Sequence, residues 1–475
     1  MSTPAAEPRT DPHTGPRTDA RTDPRTGPRT GPRTGPRTDS RTGPRADSRT
    51  GPRADSRTGP RTGPRTDSRT DPHRRHWLRA GWMMTASGWS ANQFSALLGA
   101  YRDDLGLTTA TTTALFAVYV LGLIPGLLLG GPLADRRGRR PVVYTALATA
   151  AVATCLLMAG PAAAWLLWPG RFLTGLGAGA LLTAGSVWIK EFSSAPYDPA
   201  TAPGTAARRS GLFLSAGFAS GGLAAALIAQ WAPHPMVTAY VPHLVLSAAA
   251  AVAAARAPET GRAGLAHRPD AGETHSAAGE PRSVVHGPSA APFRRLVAPV
   301  APWVFAAPTI AFVTLPGLVG DRLDGWQTVY AGVATAVTPG AGLLVTPLAR
   351  RLAARHRLAT AAAGLAAVAL GLLVAAGAVA AGQPAVALIA AVVLGAGYGL
   401  CVAYGLTEVA ALAPPHRLAR LTARFWTLAY LGFFAPYVIT LVSAAVPPAV
   451  ILTAAAVLAL LTLGAVGRAA RRDGV

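Results

Sequence analysis

Lysine is nearly absent: Lys190 stands alone against 43 arginines. Cysteine is as scarce, with Cys155 and Cys401 only, too few for a disulfide framework or a thiolate metal cluster. Charged residues make up 14% of the 475-residue chain and hydrophobic ones 50%. That balance argues against the charged, amphipathic surface a soluble protein of this length needs. No Gly-x-x-x-x-Gly-Lys-[Ser/Thr] loop occurs, so nothing points to an ATP-driven machine. Paired carboxylates, histidine clusters and nucleophile motifs are missing too, and no cofactor or metal site is expected.

What the chain has instead is apolar runs of roughly 20 residues, the length a helix needs to cross about 30 Å of hydrocarbon. They predict spans near 78–100, 110–131, 142–160, 163–189, 210–231, 237–257, 297–319, 327–348, 358–381, 385–412, 421–443 and 446–467. Buried helices of a large soluble protein are the bland alternative, and twelve such runs argue against it. Both cysteines fall in apolar runs and read as small apolar residues in helices.

The net charge of +22 invites a nucleic-acid reading, and its distribution argues otherwise. The first 76 residues hold 17 basic residues and nine acids. Of the other 27 basic residues, 23 lie in the even-numbered loops, the segment after helix six and the C-terminus. Only Arg102 and Arg322 lie on the opposite side, Arg79 flanks the first run, and Arg171 alone falls inside one. By the positive-inside rule this split puts both termini in the cytoplasm of a multi-pass cell-membrane protein.

Residues 1–76 repeat Gly-Pro-Arg-Thr with variants such as Arg-Ala-Asp-Ser. Frequent proline and the lack of apolar residues predict a disordered tail. It has no apolar centre and so is no signal peptide; weak attraction to anionic lipid, or no task at all, are its two readings. Residues 77–258 form one set of six spans, 259–296 a polar cytoplasmic linker, 297–468 a second set, and 469–475 a short tail. The sets are related. Gly175, Gly177, Gly179 and Gly185 in helix four recur as Gly395, Gly397, Gly399 and Gly405 in helix ten, an offset of 220. The predicted fold class is therefore all-α integral membrane, twelve transmembrane helices in two pseudo-repeated six-helix bundles.

The loop after helix two reads Gly131-Pro-Leu-Ala-Asp135-Arg136-Arg137-Gly138-Arg139-Arg140-Pro141. It closely resembles the signature loop of the major facilitator superfamily, and helix count, topology and repeat agree. The resemblance implies a secondary transporter with a substrate path near the midplane between the bundles. It also implies a cytoplasmic latch of Gly131, Asp135, Arg136, Gly138 and Arg139, in which Asp135 meets the start of helix eleven or pairs with Arg424. Gly131 and Gly138 would allow close approach and a tight turn. The second copy has Arg350 in place of Asp135, so the latch is one-sided.

Arg171-Phe-Leu-Thr-Gly175-Leu-Gly177-Ala-Gly179 is similar to the family's helix-four motif. Its glycines allow close packing, and its arginine either assists proton coupling or braces main-chain carbonyls. Gly217-Phe218-Ala-Ser-Gly221-Gly222 resembles an exporter signature, with Phe218 replacing the usual proline. Pro258-Glu259-Thr260 is similar to a sequence common after helix six in sugar carriers, too short to assign a substrate. Asn92, Gln93, Tyr119, Arg171, Tyr398 and Tyr404 are the substrate-path candidates; Arg171, His243 and Glu408 are the coupling candidates. For the tyrosines packing is the competing reading, for His243 a satisfied interfacial contact, and for Glu408 a salt-bridge cap. Lys190 beside Glu191 suggests an ion pair.

The implied function is export of drugs or metabolites, with protons as the default coupling ion and a monomer in the bilayer. Import of a small polar nutrient such as a sugar or organic acid remains open, as does a membrane enzyme or sensor on the same scaffold. A C-terminal reporter fusion tests the topology: it should be active only with a cytoplasmic reporter, and activity of a periplasmic reporter there reverses the orientation.

Overall fold

The computed structural model describes residues 76–199, 201–202, 204–260, 290–413 and 417–472. The expected tail at 1–76, His76 apart, and most of the 259–296 linker lie outside them. Among the described residues, ten helices are long and apolar enough to span a bilayer: α2 Thr109–Arg137, α3 Arg139–Met158, α4 Ala164–Phe192, α5 Thr205–Trp231, α6 Pro235–Ala255, α8 Gln327–Arg355, α9 Ala359–Ala381, α10 Pro384–Leu412, α11 Arg420–Val442 and α12 Pro448–Arg472. The other two spans are interrupted. In α1, His76–Asn92 gives way at Gln93 and Phe94 to a tight turn, Ser95–Leu97, and then to Leu98–Asp103. In α7, short α-helical pieces from Ala290 to Leu318 alternate with wide π turns at Phe293–Val297 and Ile310–Thr314. Pro292, Pro299, Pro302, Pro308 and Pro316 stand along it. Each proline lacks the N–H its turn would donate and crowds the carbonyl four residues back, so the ladder is reset.

Several boundaries differ from those the sequence suggested: α2 runs to Arg137 rather than near 131, α5 starts at Thr205 rather than near 210, and α8 runs to Arg355 rather than near 348. Helix α7 starts at Ala290 rather than near 297, because proline at a first turn costs nothing and the π turns extend it. Helix α12 runs on to Arg472, so most of the expected 469–475 tail is helix; its final arginines suit the negative end of the helix dipole.

The repeat in sequence is a repeat in packing. Gly175 and Gly179 lie four residues apart, on one face of α4, and lodge against the Tyr119 and Leu123 carbonyls of α2. Between them Gly177 faces α3, where an added Cβ would lie 2.9 Å from the Ala146 carbonyl oxygen. In the second bundle Gly395 and Gly399 lodge against Thr338 and Gly342 of α8, and Gly397 against Val368 of α9. The symmetry ends one turn later: Gly185 abuts Met84 of α1, whereas Gly405 abuts the Phe425 ring of α11.

Helix α5 joins the bundles. Gly217 packs on Thr85 of α1 and Gly221 on Trp89, while Gly222 turns the other way onto Thr335 of α8. The loops that carry the arginine clusters define one end of the molecule, and contacts between the bundles gather toward the far end. Phe116 of α2 lies 5.6 Å from Phe433 of α11 and 6.2 Å from Phe312 of α7, centre to centre. Trp231 meets Trp326 at 6.1 Å, and Gln230 Nε2 donates to the Gly325 carbonyl at 3.0 Å.

Substitutions at these approaches should separate steric from propensity effects. Gly175→Val and Gly395→Val each force a side chain into backbone and should cost at least about 1–3 kcal/mol. Gly377→Ala, with nothing within 4 Å, should be neutral. Thermal unfolding of the purified protein, followed by size exclusion, checks the ranking.

Candidate substrate site

Rings from four helices converge at the middle of the membrane. Phe305 of α7 stacks on Tyr430 of α11 at 4.8 Å and 11°. Phe433 lies 4.7 Å from Phe305, and Tyr119 of α2 lies 5.9 Å from Phe433. Tyr398, midway along α10, and Trp426, one turn before Tyr430, flank Phe305 at 6.2 and 6.0 Å. Among the described residues the hydroxyls of Tyr119, Tyr398 and Tyr430 have no hydrogen-bond partner. A hydroxyl left so at the bilayer midplane must meet water or a ligand. Both bundles supply this lining, which suits a flat, largely apolar molecule with a few polar atoms.

Of the residues expected on the path, Tyr119 and Tyr398 stand here. Tyr404 does not: it is buried and its hydroxyl donates to the Leu296 carbonyl at 3.1 Å, tying α10 to α7. Trp426, Tyr430, Phe433 and Phe305 were missed. A signal existed, since 426, 430 and 433 share one face of a helix in a chain only 7% aromatic.

Asn92, Gln93 and Arg171 lie toward the far end, inside the first bundle. Asn92 Nδ2 donates to the Phe218 carbonyl at 3.2 Å. Arg171 is wholly buried. Its Nε donates to the Leu115 carbonyl at 3.3 Å, and its guanidinium lies 4.3 Å from the Phe94 ring centre and 5.0 Å from that of Tyr119. Nη1 and Nη2 have no partner, nor have the side-chain atoms of buried Gln93. Nearby, the hydroxyls of Tyr101 and Tyr240 share a 2.6 Å hydrogen bond between α1 and α6.

The coupling candidates other than Arg171 are engaged. Thr154 gives its hydrogen to the Ala150 carbonyl, so it accepts from His243 Nδ1 at 2.8 Å; Ser247 completes the ring's contacts at 3.2 Å from Nε2. Glu408, only 2% exposed, receives Arg357 Nε at 3.1 and 3.0 Å on its two oxygens. This ties the start of α9 to the end of α10.

At the arginine-rich end of the first bundle a matching tie is more elaborate. Arg139 donates to Asp135 at 2.6 Å and to Glu191 at 2.9 Å. The Glu259 carboxylate accepts the backbone N–H groups of Arg139 and Arg140, both at 2.8 Å, and so caps the N-terminus of α3. Gly138 makes room: its φ of +97° is a conformation other residues resist, and a Cβ there would lie 3.1 Å from Glu259. Thr260 donates to Glu191. Three contacts differ from those expected in this conformation. Asp135, on the last turn of α2, pairs with Arg139 at the start of α3 and not with the exposed Arg424, because contacts between the bundles gather at the far end. Gly131 allows no close approach here, since an added Cβ would meet no neighbouring helix within 4 Å. Glu191 answers Arg139 rather than its neighbour Lys190, because Arg139 reaches it from the start of α3. Arg136 is exposed and forms no hydrogen bond or ion pair among the described residues.

A twelve-span, two-bundle fold enclosing a midplane ring site defines the class of secondary membrane transporters. The family model of the Major Facilitator Superfamily matches residues 80–437, and the chain belongs to that superfamily. Short stretches resemble curated proteins. The match to multidrug resistance protein MdtL of Klebsiella pneumoniae (strain 342) is 38% identical over 77 residues, 16% of this chain and 19% of that protein. The match to niacin transporter NiaP of Acinetobacter baylyi is 31% identical over 112 residues, 24% and 25% of the two chains. The chain thus spans a quarter or less of the length of these relatives. Among solved structures, a POT family transporter in complex with 5-aminolevulinic acid superposes with a TM-score of 0.64 at 12% identity, covering 83% of this chain and 96% of that one. Nucleoside transporter NupG gives 0.63 at 12% identity, covering 82% and 99%. At such identities the likeness is one of fold.

The cap on α3 can be weighed against the exposed acid beside it. Glu259→Ala strands two helix-terminal N–H groups and should cost about 1–2 kcal/mol. Asp135→Asn, at a side chain 68% exposed, should cost under about 0.5 kcal/mol. Melting temperatures of the purified variants check the order.

Proposed function

We propose that this protein exports small, flat, largely apolar compounds across the cell membrane by alternating access, with protons as the coupling ion. It does so as a monomer, with both termini in the cytoplasm, and it catalyses no chemical reaction. The carrying observation is the midplane ring set of Tyr119, Phe305, Tyr398, Trp426, Tyr430 and Phe433, which both bundles build. A site shared between two rocking bodies is the one whose shape changes most when they rock. The short match to a multidrug resistance protein and the glycines of α5 support the outward direction. The arginine distribution supports a cytoplasmic position for the arginine-rich end. On that reading the conformation is closed outside, and Asp135 exchanges Arg139 for α11 when the inner end closes.

A second reading is uptake of a small polar solute. The match to a niacin transporter favours it.

Inside-out and right-side-out vesicles separate the two. With a proton gradient, inside-out vesicles should accumulate planar aromatic dyes, and Trp426→Ala and Tyr398→Ala should each lower the rate about tenfold, the loss of one or two ring contacts. Accumulation confined to right-side-out vesicles reverses the direction. Undiminished rates in both variants remove the rings from the path.

A further inference from the structure

The first bundle buries a positive charge without a counter-charge. Arg171 is fully enclosed, and no carboxylate pairs with it among the described residues. One carbonyl takes Nε, and the two terminal nitrogens, four N–H bonds in all, have no acceptor. Ring faces offset part of the cost, but an unpaired guanidinium in hydrocarbon remains expensive. A second buried polar group, on α1, is idle as well. Gln93 stands where α1 breaks, next in the chain to Phe94, whose ring lies against Arg171. It is 0% exposed, and neither its amide nitrogen nor its amide oxygen has a partner. One turn earlier on α1, the indole N–H of Trp89 is buried and unpartnered too.

These groups are donors of a particular kind. The paired Nη atoms of a guanidinium match the two oxygens of a carboxylate, and an amide N–H₂ adds a third donor. The cover over Arg171 is also particular. Phe116 and Tyr119 lie over the guanidinium at 5.9 and 5.0 Å, and both pack on Phe433 of the other bundle. Parting the bundles at the far end withdraws Phe433 and opens the way to Arg171, while Tyr119 belongs at once to this cover and to the midplane ring set.

We infer that Arg171 and Gln93 form a subsite for a carboxylate group on the transported molecule, reached when the bundles part at the far end. This deepens the transport reading: the substrate is an aromatic carboxylate, its ring on the midplane aromatics and its acid toward Arg171.

The test is calorimetric titration of the purified full-length protein in nanodiscs. The probes are three acid–amide pairs: benzoate and benzamide, phenylacetate and phenylacetamide, 4-hydroxybenzoate and 4-hydroxybenzamide. At least one acid should bind tenfold or more tightly than its amide. Gln93→Leu should weaken that acid about tenfold, as expected for one hydrogen bond to a charged group. Arg171→Lys keeps the charge but loses the fork, and should weaken it further; Arg171→Gln should erase the preference. If Arg171→Gln fails to fold, Gln93→Leu and Arg171→Lys decide. Equal binding of every acid and its amide overturns the proposal, as does wild-type affinity in the Gln93 and Arg171→Lys variants. Displacement of the acids by equimolar chloride also overturns it, making the site an inorganic-anion site. Binding is read without a gradient. Discrimination by protein that moves nothing in vesicles therefore sinks the transport reading alone, and vesicles that move neutral aromatics while the protein ignores acids sink the subsite alone.

Discussion

Backbone-to-backbone approach at the glycines of α4 and α10 is the contact on which the rest of the architecture hangs. In a bilayer no hydrophobic force drives one helix onto another, so association depends on dispersion contacts over closely fitted surfaces. Removing Cβ at Gly175 and Gly179 lets α4 settle on the carbonyls of α2, and Gly177 lets the same helix accept α3. The second bundle does this again with Gly395, Gly399 and Gly397. With α2 and α8 fixed in this way, the residues they carry, Tyr119 and Thr335 among them, are delivered to the surface between the bundles.

Each bundle is also tied at its arginine-rich end by an arginine at or just before the start of the third helix and an acid near the end of the fourth. Arg139 with Glu191 and Arg357 with Glu408 are the same device in two copies. The first copy has accreted partners, Asp135, Glu259 and Thr260, whereas the second keeps the bare pair. The loop whose glycines and acid suggest a latch between bundles is, in this conformation, a brace within one.

How much of this the sequence shows depends on the kind of signal. Span number and the duplicated glycines are legible because hydrocarbon thickness and close packing impose lengths and spacings. The identity of the partners is less so. Tyr404 and Tyr398 lie six residues apart on one helix and look alike, yet one hydroxyl is consumed by Leu296 and the other is free. That difference is set by how α7 lies against α10, which no local pattern encodes. The acidic residue of Pro258-Glu259-Thr260 reads as a fragment of a substrate motif, and its role as a cap follows only once α3 is known to begin beneath it. Arg171 was visible as an anomaly, a lone charge in an apolar run; that its terminal nitrogens go unanswered was not.

The broken path of α7 has a consequence for anyone projecting this helix onto a wheel. A π turn holds about one residue more than an α turn, and one residue is worth roughly 100° of rotation. Beyond Thr314 the chain is therefore phased differently from the piece that begins at Trp303. Leu315 and Pro316 lie beyond that offset and are buried, as is most of the chain from Trp303 onward, so a wheel drawn from Trp303 misplaces their azimuth by that amount.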